Sequence, residues 1–67
     1  MVEIDFHYAA AMDSVNLINE GKPDDMSADK WSDRLANNLS HLVHVRALYN
    51  WAGKDMTAID ACIEANS

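Results

Sequence analysis

Apolar residues recur along this chain at spacings of three and four, and no stretch alternates with a period of two. That period belongs to the α-helix and argues against a half-buried strand. Gly21, Pro23 and Gly53 interrupt the pattern and divide it into three segments, at about 5–20, 28–52 and 57–65. In the first, Ile4, Tyr8, Ala11, Val15 and Ile18 form one stripe. Phe6, Ala10 and Leu17 form a second stripe roughly opposite, so this helix is expected to be sandwiched or shared with another chain. The second segment carries Trp31, Leu35, Leu39, Leu42, Val45 and Tyr49, with Ala36 and Val43 alongside. Its other face bears Lys30, Asp33, Asn37, His41 and His44, and turns apolar towards the end at Leu48 and Trp51. In the third, Ala58, Ile59, Cys62 and Ile63 form the apolar side, with Asp60 and Glu64 outward.

The boundaries follow from local chemistry. Gly21 suits the left-handed position just past a helix end, and Pro23 prevents continuation. Ser27 is placed to cap the second helix, with Asp29 in its first turn and Met26 able to pack on Trp31. Gly53 is expected to end that helix, which would then span roughly 36 Å at about 1.5 Å per residue. "TAID" reads as a capping box with Asp60 in place of Glu and Thr57 as the cap. Short connections imply antiparallel neighbours. The expected fold is all-α, a small three-helix bundle or helical hairpin with a long central helix. The central helix outruns its partners, so part of it is left for another chain to cover.

At 67 residues, the chain is expected to form a single small helical domain over 1–67. A core of that size is marginal without a staple or a partner. The single cysteine, Cys62, cannot form an internal disulfide, and no zinc ligand set is visible. A protein partner, either a second copy or another protein, is therefore expected, with a homo-oligomer the leading form. No cofactor is expected. Eleven acids against five bases give a formal charge of −6, which disfavours nucleic acid and anionic membrane surfaces. There is no apolar run of membrane-spanning length and no signal segment.

Several side chains carry candidate chemistry. His41 and His44, three apart, could share a metal, but a structural site wants about four ligands, so a solvated helix face is the plainer reading. Arg46 falls inside the apolar arc, where a guanidinium must pair or snorkel. Its expected partner is Asp13 or Asp60, and the alternative is an interface anchor. Asn38 sits beside the same stripe, where a polar residue can specify register. Trp31 reads as core. Trp51, lying off the main stripe near Leu48 and His44, is the candidate for a partner contact. Asp24, Asp25, Asp29 and Asp33 cluster at the start of the second helix. They serve the helix dipole or form a negative surface imitating nucleic-acid phosphates. Their spacing does not fit a calcium loop. Glycine-rich phosphate loops and nucleophile elbows are absent, so no enzyme is expected. A helix-turn-helix reading fails because the would-be recognition helix carries Asp60 and Glu64 and no base.

The stretch "DRLANNLSHLVHVRALYNWAGKDMTAIDACIEA", residues 33–65, resembles the C-terminal part of small uncharacterised proteins encoded by tailed bacteriophages. The shared positions are Arg34, Asn38, His41 with Leu42, Trp51, and Asp55, Met56 and Thr57. The resemblance implies a phage protein in the cytoplasm of a bacterial host or associated with a virion. It implies no particular activity. Two functions are then expected in competition. One is a non-enzymatic interaction module that meets its partner through Arg46, Trp51, Leu48, His41 and His44. The other is an acidic inhibitor that presents Asp24, Asp25, Asp29 and Asp33 to a basic host site.

Overall fold

The computed structural model describes residues 3–66 and contains three helices: α1 (Glu3–Glu20), α2 (Ala28–Leu48) and α3 (Thr57–Ala65). There is no strand among the described residues. Ala11, Val15 and Ile18 of α1, Leu42 and Val45 of α2, and Ile59, Cys62 and Ile63 of α3 meet in one core. Ala11, Leu42 and Ile59 are completely buried. Ile4, Tyr8, Leu35, Leu39 and Tyr49 pack around this centre. The main apolar stripes therefore face inward, which accounts for the all-α bundle, but Trp31, read as core, is only half-buried and lies outside the core, because the core gathers around the C-terminal half of α2. The second stripe of α1 does not face inward. Phe6 stays 70% exposed, and Ala10 and Leu17 are half-buried.

Two boundaries follow their sequence signals. Gly21 adopts φ +83° and donates its N–H to the Ile18 carbonyl at 3.2 Å, closing α1 in the left-handed conformation that glycine allows. The Lys22 ammonium then donates to the Met26 carbonyl at 2.9 Å, tightening the turn. Ser27 caps α2, its hydroxyl oxygen accepting from the Lys30 N–H at 3.2 Å.

The end of α2 differs from expectation. The helix stops at Leu48, not near residue 52, and Tyr49 is extended at φ −107°, ψ 156°. Gly53 is not its terminator. With φ +86°, it sits in a separate turn in which the Lys54 N–H bonds the Trp51 carbonyl at 2.9 Å. The physical reason is Trp51. A continuous helix would have carried it on the outer face, near His44. Breaking at Tyr49 turns the indole inward, where it is 9% exposed. Burying a tryptophan-sized surface contributes about 4–6 kcal/mol by area, more than one exposed helical turn contributes.

The start of α3 also differs. Thr57 is the first helical residue, and the cap position, Met56, makes no side-chain cap bond. The "TAID" capping box does not form. Instead the Asp55 carboxylate accepts the Thr57 N–H at 3.0 Å. Hydrogen bonds from the Thr57 side chain and backbone hold the Asp55 carboxyl below its usual range.

Candidate functional site

The three helices leave two distinct surfaces with chemical character. The first is a groove of about 430 Å³ between α2 and α3, lined by Leu39, Ser40, Val43, His44, Ile63 and Asn66. It exists because α3 is short. Arg46 of α2 donates to Asp60 in the first turn of α3 at 3.2 Å, and Asn66, just past α3, reaches the groove beside Leu39. α3 thus runs antiparallel along the C-terminal half of α2 and ends there. Val43 remains 45% exposed at the groove.

The second surface is an aromatic end, where the start of α1 meets residues 49–55. His7 stacks on Tyr49 with ring centroids 4.2 Å apart, and Phe6 meets His7 edge-on at 5.6 Å. Tyr49 meets Trp51 edge-on at 5.6 Å, and Tyr8 lies 6.0 Å from the indole. The Tyr8 hydroxyl donates to the Asp55 carbonyl. Lys54 pairs with Asp5 and lies 5.4 Å from the Tyr8 ring centre, a cation–π contact. Glu3 stands 3.4 Å from His7 Nε2. These contacts fasten the 49–56 connection to α1. Sequence alone does not point to this cluster, because Tyr49 reads as part of the α2 stripe and nothing local ties it to His7.

The residues singled out from the sequence are scattered over the molecule. Trp51 belongs to the core and donates its indole N–H to the Val45 carbonyl at 3.1 Å, so it is corrected from a surface contact to a packing residue. Leu48 is 59% exposed, at the end of α2. His41 and His44 are both exposed, and His44 lines the groove. Arg46 is exposed rather than enclosed, and its partner is Asp60, not Asp13. Asn38 bonds back to the Arg34 carbonyl at 2.8 Å, within its own helix.

Asp24, Asp25, Asp29 and Asp33 are all exposed, and none takes part in an ion pair among the described residues. Also among the described residues, no three or more His, Cys, Asp or Glu side chains come together as a metal site. Cys62 is 4% exposed, and burial pushes its thiol pKa up, away from the reactive thiolate. No helix among the described residues is long and apolar enough to cross a membrane.

The groove residues Val43, Ile63 and Asn66 were visible in the sequence only as neighbours of apolar stripes. Their convergence depends on where α3 stops against α2. The arrangement offers apolar contact rimmed by hydroxyl, imidazole and amide groups. Compared with protein-family models, with curated proteins and with solved structures, the chain matches none of them.

Proposed function

We propose that this chain is a non-enzymatic protein–protein interaction module, encoded by a phage, that self-associates or docks into a larger assembly through its apolar helix faces. One observation carries the reading. Phe6, Leu48 and Val43 are 70%, 59% and 45% exposed although the core is complete without them. Exposed apolar side chains, with Val43 among them at an open groove, are what a partner surface uses. Leu48, Arg46, His41 and His44 remain interface candidates, and Val43 joins them. The phage origin rests on the resemblance of residues 33–65, and the setting it implies is a bacterial cytoplasm or a virion.

Light scattering on the purified chain, together with a pull-down from bacterial lysate washed in salt steps, tests the reading. Wild type is expected to form a defined oligomer or to hold one stoichiometric partner. Phe6→Ser, Val43→Ser and Leu48→Ser together should abolish that association and leave the helical circular dichroism unchanged. A monomeric chain that captures nothing would sink the proposal.

A second reading is an acidic inhibitor of a host nucleic-acid-binding or defence complex. It is favoured by the exposure of Asp24, Asp25, Asp29 and Asp33, none of which forms an ion pair among the described residues. In that case the captured partner leaves at moderate salt, because screening weakens exposed charge pairs. Replacing the four acids with Asn and Ser should then abolish capture.

A further inference from the structure

We infer that the α2–α3 groove and the acids Asp29 and Asp33 form one continuous docking lane, and that its occupant is a basic amphipathic helix of another protein. The inference rests on the interaction-module reading and specifies the partner.

α2 is one unbroken helix from Ala28 to Leu48, so residues three and four apart share a face. Asp29, Asp33, Ala36, Ser40, Val43 and Ala47 follow that spacing, and all six are exposed. The C-terminal half of this face opens into the groove through Ser40 and Val43. Its N-terminal half continues past Asn66, where α3 has ended, with Ala36 offering little obstruction. Along the helix, Asp33 lies about 15 Å and Asp29 about 21 Å from Val43, at about 1.5 Å per residue. The lane therefore has an apolar socket at one end and two carboxylates at the other.

Charge selects the occupant. The chain has five cations against eleven acids. Arg46 is paired with Asp60 and Lys54 with Asp5, and Lys22 is bonded to the Pro23 and Met26 carbonyls. Arg34 projects about 100° or more round α2 from both acids, at about 3.6 residues per turn, and Lys30, one turn before Asp33, makes no ion pair with it among the described residues. Among the described residues, no cation pairs with Asp29 or Asp33. A second copy would bring another formal −6 to the surface. A helix with an apolar anchor and Lys or Arg two to four turns away meets both ends. Helix-in-groove recognition uses this arrangement of anchors.

The test pans a display library of helical peptides, unbiased in charge, against the full-length chain at low salt. Selected helices are then mapped by amide chemical shifts on the labelled protein. The expected helices are basic and amphipathic, and they perturb Ser40, Val43, Ile63 and Asn66 together with Asp29 and Asp33. Val43→Asp should weaken them more than about tenfold, as loss of a central anchor does. Asp29→Asn with Asp33→Asn should weaken them about five- to tenfold and flatten the salt dependence. All three positions are exposed, and unchanged circular dichroism separates lost binding from lost folding.

Neutral or acidic winners, or binding indifferent to Val43→Asp, would overturn the inference. So would groove signals that shift with protein concentration alone, since the occupant would then be a second copy. Helices that map instead to Phe6 and Leu48 would sink this lane while leaving the interaction module standing. No selected binder, with a monomeric chain that captures nothing from lysate, would remove both.

Discussion

The Trp51 indole N–H donates to the Val45 carbonyl at 3.1 Å, across the point where α2 has already ended. The same carbonyl accepts the Tyr49 N–H at 3.3 Å. A single carbonyl in the last turn thus receives both the helix cap and the side chain that replaces a further turn. The bond fixes the direction in which the 49–56 connection leaves α2, and through it the place where α3 begins.

Trp51→Phe keeps a ring in the core but removes this donor and part of the ring volume. Stability should fall by about 1–3 kcal/mol, combining a lost hydrogen bond with a partly filled cavity. Urea denaturation of the variant against wild type measures it. An unchanged midpoint would mean that Trp51 does not hold the end of α2.

The Arg46–Asp60 pair links α2 to α3 at 3.2 Å, with the two side chains 41% and 55% exposed. A pair so open to water is screened, and its coupling should not exceed about 1 kcal/mol. A double-mutant cycle with Arg46→Met and Asp60→Asn is the direct check. A coupling of about 2 kcal/mol or more would show an ion pair withdrawn from solvent, contrary to this geometry.

Asp55 predicts an acid sensitivity confined to the start of α3. Its carboxyl is held below the usual range by bonds from Thr57, so the charged form favours the folded state. That contribution is fully present above about pH 4, the ordinary aspartate range, and is lost as pH falls through the depressed native value. Asp55→Ala should lower stability at neutral pH and reduce the fall in acid. Denaturation midpoints across that range would decide, and parallel curves for wild type and variant would refute the assignment.

Much of the fold was legible in the chain because it depends on near neighbours. The main stripe of α1, most of that of α2, the Gly21 stop and the Ser27 cap are local and hold in the fold, whereas the second stripe of α1 stays on the outside. Arg46 was expected to pair with Asp13 or Asp60, and only the packing of α3 against α2 selects Asp60. The candidate site was less legible. His41, His44 and Leu48 were placed on the outside and are there, whereas Trp51 was placed with them and is not. Periodicity continued α2 through Trp51 because nothing local forbids it.

Three helices, their order, the apolar stripes they carry and an acidic composition short of cations are written in the chain. These depend on hydrophobic period and on chemistry within one turn of a helix. The tertiary structure alone decided where α2 ends, which residue caps α3, the aromatic end around His7 and Tyr49, and the groove that lines up with Asp29 and Asp33. Those features depend on contacts between residues far apart in the chain. There the burial of one indole outweighs a helical turn, and the length of one helix leaves its neighbour uncovered.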